Sequence, residues 1–342
     1  KFSFLIIGKK VGGARSWFSL GGFSLQPSEF AKPTTALALA YYLSRDSSLW
    51  KSLKSRILSV IMVGLPAGLI LLQPDAGTVI VFAGFVFVLY REGLSGNVLI
   101  LGFAALIMAI ATILIGSWGG IEWFWGGWIV LGSTVLYIIR EATVPRKRKS
   151  LTVWGSILLI AGLFLSIGLH TGMEKVLKPH QKERIHVLFG IDVNNPDADY
   201  NIRHAKAAIG SGSLSGKGWM NGPMTAYSFV PEQETDFIFC TIGEEWGFMG
   251  SITVVLLFAL LIMRVVYLAE RQRSKFTRVY AYGVASILFM HFLVNIGMVL
   301  GLAPVIGIPL PFFSYGGSSL LGFTFLLSVL LRLDGERFKM LR

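Results

Sequence analysis

The sequence predicts an all-α polytopic membrane protein, and three observations predict it. Apolar runs of about 20 residues recur along the chain, each long enough to cross a bilayer as a helix. Charged side chains make up only 15% of the 342 residues, against roughly a quarter in an average soluble domain. The basic residues gather in short connections between the runs, whereas the acidic ones gather in one long connection. Together they give about nine complete transmembrane helices plus a partial N-terminal span, with one large extracytoplasmic loop domain.

The opening KFSFLIIG has the composition of a span's tail, as expected of a chain that lacks the start of that span. Complete spans are expected at 27–44, 56–73, 76–90, 97–117, 123–140 and 151–170. Pro27 stands where the first would begin, and proline suits a first helical turn. The fourth to sixth read as plain lipid-facing helices. IEWFWGGW, ahead of the fifth, reads as an interfacial aromatic belt. Residues 1–170 thus form an N-terminal membrane half and 171–246 the large loop. Residues 247–342 form a C-terminal half with spans at 247–269, 279–301 and 316–332 and a tail.

Lysine and arginine orient these spans. The connections Arg45 to Arg56, Arg140 to Lys149 and Arg264 to Arg278, the tail from Arg332, and Arg91 hold 19 of the 31 basic residues. All fall on one side when the spans alternate, and that side is expected to be cytoplasmic. The net charge of +12 is therefore a topology signal, and nucleic acid is not an expected partner. The loop 171–246 carries seven Lys/Arg and ten Asp/Glu together with Trp219, Tyr227, Phe229 and Phe237. It is expected to be an ordered outer domain, and FIFCTIGEEWGFMG within and after it a helix that feeds the next span. The single cysteine, Cys240, excludes an intrachain disulfide and a cysteine metal cluster, and reads as a small packing residue.

Ionisable groups at span ends are costly, so each is a candidate site. In GARSWFSLGGFSLQPSEFAKP, Glu29 and Lys32 are three apart and share one helix face. They are either a structural pair or the charged floor of an outward cavity. Arg15 and Trp17 precede them, placed to touch an anionic headgroup or to anchor at the interface. In LLQPDAGTVI, Asp75 sits at the apex of a tight turn, as a helix cap or as a metal or hydroxyl ligand. AAIGSGSLSGKGWMNGP is not a phosphate-binding P-loop, because Ser211 and Gly218 stand where that pattern needs glycine and Ser/Thr. Its glycines still allow backbone amides to approach a ligand. Lys217, Arg184 and Arg203 are the basic groups available to a diphosphate, or else solvated surface charge.

VPEQETDFIF places Glu232 and Asp236 four apart, on one face if the segment is helical, with Phe237, Ile238 and Phe239 following. A carboxylate half buried by aromatics suits a general base. Two carboxylates on one face also suit a divalent cation, Mg or Mn. Otherwise the acids simply mark a solvated outer face. APVIGIPLPFFSYGGSS, residues 303–319, is too rich in proline and glycine for a continuous helix. Broken backbone at membrane depth survives where it is buried or lines a cavity, so this segment, with Ser314, reads as the wall of a site. His291 and Asn295, four apart on the preceding span, read as interhelical hydrogen-bond partners.

These segments, taken in order, resemble the shape, elongation, division and sporulation family, and within it the RodA type. The matching stretches are GARSW, QPSEFAK, QPDAGT, AIGSGSLSGKGW, VPEQETDFIF, GEEWGFMG and NIGMVLGLAPVIGIPLPFFSYGGSS, which span roughly two thirds of the chain. The resemblance implies a peptidoglycan glycosyltransferase of the bacterial cytoplasmic membrane. Its substrate would be lipid II, an undecaprenyl-diphosphate disaccharide-pentapeptide, polymerised on the outer face. Its partners would be a class B penicillin-binding protein that crosslinks the strands and other membrane proteins of the elongation complex. The family's essential loop aspartate falls on Asp236, its charged pair on Glu29 and Lys32, and its QPD aspartate on Asp75.

The chain departs from the family pattern in lacking the first two spans and most of the third, and in having three spans rather than one between QPDAGT and the outer loop. Glu234 also stands where relatives commonly carry histidine. The mechanism implied has Asp236 take the proton of the acceptor's 4-hydroxyl as it attacks the donor's anomeric carbon. The leaving diphosphate would be met by a divalent cation or by Arg184, Lys217 or Lys32. A lipid II flippase and a non-catalytic scaffold are the competing readings.

Overall fold

A computed structural model of the chain describes residues 9–11, 14–20, 23–45, 52–73, 75–100, 102–103, 183–184, 187–188 and 200–338. The chain divides into two compact units, one made of residues 1–94 and 199–342 and the other of 95–198. In the second unit the described residues are short helical pieces at 96–100, 102–103, 183–184 and 187–188. The expected spans 123–140 and 151–170, and most of 97–117, lie outside the described residues, as does the opening span tail.

The first unit begins with an element the all-α reading did not include. Strands β1 (Lys9–Val11), β2 (Ala14–Leu20) and β3 (Phe23–Leu25) form a small antiparallel sheet in the order β1-β2-β3. The stretch RSWFSL mixes aromatic and short polar residues, which favours extended backbone, and Gly21–Gly22 separates β2 from β3. Everything else is helical. Helix α1 (Pro27–Ser44) starts with proline in its first turn, as the sequence predicts. Helix α2 (Leu53–Leu71) is capped by the Ser52 side chain. Helices α3 (Ala76–Ala83) and α4 (Phe85–Arg91) divide what reads as one span, with a break at Gly84. A Cβ on Gly84 would lie 2.5 Å from Met290, so glycine there lets the break nest against a neighbouring helix.

After the second unit come α5 (Tyr200–Ser211), the single turn α6 (Pro223–Ala226), α7 (Ile238–Glu270), α8 (Lys275–Val299) and α9 (Gly317–Gly335). Among the described residues, α2, α7, α8 and α9 are each long and apolar enough to cross a membrane, and residues 76–91 form a shorter apolar pair. Helix α8 is the hub. It packs against α7, α1, α4, α9 and α3, and its Tyr280, Val284, Ile287 and Leu288 are buried. One core gathers α1, α3, α4, α8 and α9 around Leu39, Phe82, Phe85 and Phe323. A second joins α5, the start of α7 and the end of α8 around Phe237, Phe239, Phe258 and Met298.

Two ends of this unit differ in chemistry. At one end, Arg91 pairs with Glu270, Glu92 with Lys275 and Arg278, and Asp334 with Arg271. Three of the basic connections read from sequence therefore converge. At the other end lie the start of α1, the turn before α3, the turns before α7 and the irregular segment between α8 and α9.

Candidate active site

Four elements meet at that second end, and α1 supplies the deepest charges. Lys32 donates to both carboxylate oxygens of Glu29 at 2.8 Å, with side chains only 2% and 3% exposed. A third partner arrives from α8, where His291 Nε2 lies 2.8 Å from the Lys32 ammonium. His291 Nδ1 is 3.0 Å from the Pro309 carbonyl. A carbonyl only accepts, so Nδ1 carries the proton and Nε2 offers its lone pair to Lys32. Phe323 of α9 closes the cluster, with its ring edge-on to His291 and 5.1 Å from the Lys32 nitrogen. A buried ion pair is tolerated when its remaining hydrogen-bonding capacity is met, and three helices contribute to meeting it here.

Asp75 adopts the helix-cap role. Its Oδ1 accepts from the Thr78 amide at 3.0 Å. Its Oδ2 accepts from the Thr78 hydroxyl at 2.8 Å, and from Gln26 Nε2 at 3.2 Å and Ser28 Oγ at 3.5 Å. The Gln26 amide in turn donates to Ser318 Oγ at 2.9 Å. The turn before α3, the first turn of α1 and the first turn of α9 are thus laced together.

The acidic decapeptide is not helical at its start. Residues 231–237 form consecutive turns, and the helix begins only at Ile238. The amides of Asp236 and Phe237 both donate to the Glu232 carbonyl, at 3.1 and 3.0 Å. Carbonyls that a helix would use internally are taken by other elements. Glu234 O accepts from the Tyr315 amide at 2.8 Å, and Asp236 O accepts from Asn295 Nδ2 at 2.8 Å. Glu232 and Asp236 therefore do not present the shared helix face that their spacing suggests. Glu232 is exposed and accepts from the Thr235 hydroxyl at 2.9 Å, whereas Asp236 is half-buried.

Asp236 rests on the broken segment between α8 and α9. A Cβ on Gly307, which has φ +77°, would meet Asp236 Oδ2 at 3.0 Å. Only glycine combines that backbone with that approach. Asn295 donates its second amide hydrogen to the Ile308 carbonyl at 2.7 Å, so α8 holds carbonyls 308 and 309 through Asn295 and His291. Ser314 closes the following turn by accepting from the Leu310 amide at 2.7 Å.

The glycine-rich loop grips helix α7 rather than standing apart from it. Lys217 donates to Glu244 at 3.0 Å and to Ser211 at 2.7 Å. Glu244, fully buried, also accepts from the Met224 and Thr225 amides and the Thr225 hydroxyl. Helix α7 breaks at Gly247 (φ 63°), where a Cβ would sit 2.4 Å from the Gly216 amide nitrogen. Glycines on both sides let backbone pack on backbone, and the amides of Lys217 and Gly218 donate to the carbonyls of Glu244 and Glu245. Arg15 and Trp17 lie on β2, in register with Lys10 and Lys9. Arg184 belongs to the other unit.

Among the described residues no group of three or more His, Cys, Asp or Glu forms a metal cage. Mg or Mn needs fewer protein ligands, since one or two carboxylates suffice when substrate phosphates complete the sphere. Asp236 and the exposed Glu232 have the hard oxygen chemistry for that role.

The contributions of His291 and Asn295 exceed what their sequence spacing indicates. They reach Lys32 and the Asp236 backbone, contacts separated by 259 and 59 residues. A polar residue on an apolar span is the local signal each gives, and Asn295 also opens the matching stretch NIGMVLGLAPVIGIPLPFFSYGGSS. Gln26 and the brace residue Glu244 lie inside QPSEFAK and GEEWGFMG, where no spacing rule marks either one.

The family model for cell cycle proteins of the FtsW, RodA and SpoVE type matches residues 2–121 and 126–339. The chain is 33% identical over 322 residues to the peptidoglycan glycosyltransferase MrdB of Escherichia coli K12, covering 93% of this chain and 71% of that one. It is also 33% identical to the peptidoglycan glycosyltransferase RodA of Treponema pallidum, over 92% of this chain and 76% of the relative. A chain from a solved peptidoglycan synthase complex, described as coordinating polymerization and crosslinking, superposes with a TM-score of 0.65 at 27% identity. That match covers 98% of this chain and 78% of the other. The chain belongs to the FtsW/RodA/SpoVE family, on its RodA side, and is an integral membrane protein of helical architecture.

Proposed function

We propose that this chain is a peptidoglycan glycosyltransferase that polymerises lipid II on the outer face of the cytoplasmic membrane, with Asp236 as general base. One observation carries the assignment of the base. Asp236 is half-buried against Gly307 of the irregular 303–316 segment, which α8 ties through Asn295 to the Asp236 backbone and through His291 to the buried Glu29–Lys32 pair. Asp236 accepts the proton of the acceptor's 4-hydroxyl while that oxygen bonds to the donor's anomeric carbon. The bond from that carbon to the diphosphate breaks, and the diphosphate leaves with its electron pair. Glu29 and Lys32 form the charged floor, and Asp75 and Ser314 shape the wall. Arg15, Trp17 and Lys217 are assigned to the substrate's anionic and sugar groups. In the alternative role, Asp236 would hold a Mg or Mn ion, with Glu232 and the substrate's phosphates as its other candidate ligands, and that ion would supply charge neutralisation for the diphosphate.

The basic end of the unit faces the cytoplasm in this reading, with the C-terminus there and the loop 171–246 outside. A class B penicillin-binding protein acting as transpeptidase, and elongation-complex membrane proteins, are the partners proposed. The competing activity is lipid II transport, for which broken backbone and intramembrane charge are also suited. Reconstituting the chain with its partner and lipid II labelled on one leaflet separates the two. Glycan polymer is expected from the parent, and none from Asp236→Asn at unchanged thermal midpoint. Polymer from the Asn variant at near the parental rate removes Asp236 as the base. Movement of lipid II without polymer replaces the whole reading.

A further inference from the structure

We propose that the cleft between α7 and α9 at the basic end of the unit is a binding site for an anionic glycerophospholipid, with an acyl chain inside and the phosphate at the arginine rim. The cleft encloses about 260 Å³. Its walls are two stripes at helical spacing that face each other across a gap. Leu261 and Leu268 stand on one, two turns apart, and Leu327 stands on the other. The walls are mostly apolar; Arg264 stands midway along the α7 stripe, while Arg271 and Asp334 stand at the ends of the two stripes.

The rim is unbalanced toward positive charge. Asp334 is already engaged by Arg271, by Gln272 at 2.6 Å and by Arg337 at 3.5 Å. Arg264 is exposed, with its guanidinium 5.2 Å from the face of Tyr267. It projects from a membrane-crossing helix between apolar Met263, 58% exposed, and Val265. An arginine in that position extends its charge toward lipid headgroups. The surrounding exposed side chains, Leu260 and Leu331 among them, are those of a surface bathed in acyl chains. A ligand with one apolar tail and one anionic phosphate satisfies both the walls and the rim. A basic pocket between membrane helices is suited to that class of headgroup.

The test is native mass spectrometry of the delipidated chain in detergent, titrated with phosphatidylglycerol, phosphatidylcholine or inorganic phosphate. Phosphatidylglycerol is expected to bind in preference to both. Arg264→Gln should weaken it about five-fold, the share of one interfacial arginine. Leu327→Trp, which fills the cleft, should remove binding while the helical circular dichroism spectrum is retained. Equal binding of phosphatidylcholine, competition by inorganic phosphate, or unchanged affinity in both variants would overturn the proposal. Glycan synthesis is not the readout, so the result stands apart from the assignment of Asp236.

Discussion

At the basic end of the helical unit, Arg91 meets Glu270 with the two side chains 46% and 50% exposed, and Tyr282 donates to the same carboxylate. Glu92 has two cationic partners, Lys275 and Arg278, and Asp334 has Arg271 and Arg337. At the opposite end, Glu29 and Lys32 are almost completely buried, and each is the other's sole counter-charge among the described contacts. In the first arrangement a pair is either open to water, as Arg91–Glu270 is, or doubled, as at Glu92 and Asp334, whose side chains are 6% and 14% exposed. The second is singular and dry. Charge at a solvated helix end orients and solubilises, and losing one partner leaves the other to water. Buried charge ties helices to one geometry, and losing one partner strands the other in a medium that cannot solvate it.

The largest effect should therefore come from Lys32→Met. It leaves the Glu29 carboxylate buried without a counter-ion and costs about 3–5 kcal/mol. Circular dichroism melting in detergent should show a steep fall in midpoint, and glycan synthesis should vanish. The double variant Glu29→Gln with Lys32→Met removes both charges and should recover most of the midpoint without recovering synthesis. Recovery of both would reduce the pair to a packing device and break the contrast between the two ends.

Much of this end could be read from the chain, and the limit falls at sequence distance. The start of α1 is legible because Pro27 announces a first turn, and Glu29–Lys32 because a spacing of three is a local helical rule. Asp75 reads from the sequence as cap or ligand, and the structure shows the cap, made to the Thr78 amide three residues on. The irregular 303–316 stretch follows from proline and glycine content alone. The third partner of Lys32 was out of reach, because no local rule ties residue 32 to residue 291. The turns at 231–237 lie beyond local rules for the same reason. Spacing favours a helix there, but Tyr315 and Asn295, from elsewhere in the chain, take the carbonyls a helix needs. The short sheet at 9–25 was missed because its strands run to three, seven and three residues, too brief for a period-two pattern to stand out.

Gly307→Ala sharpens the comparison at an intermediate scale. The residue sits at φ +77°, where an L side chain costs roughly 1–2 kcal/mol. The new methyl would press on Asp236 Oδ2 at 3.0 Å. A carboxylate displaced by a few tenths of an ångström keeps its charge but loses its aim, and a 1 Å error costs about a hundred-fold. Synthesis should drop by roughly ten-fold with a small change in midpoint. A loss of midpoint without loss of rate would show that the segment supports the fold and does not position the aspartate.

The smallest effect is expected at the basic end, from Arg91→Gln. Glu270 keeps the Tyr282 hydroxyl and its access to water, and nothing buried loses a partner. Exposed pairs of this kind are weakened by solvent and by salt. The melting midpoint and the rate of glycan synthesis should both stay within error of the parent, at low and at high ionic strength. A clear loss at low salt that disappears at high salt would mean that the pair fixes the relative position of α4, α7 and α8. The basic end would then be held by specific charge pairing as the opposite end is, and redundancy would no longer distinguish them.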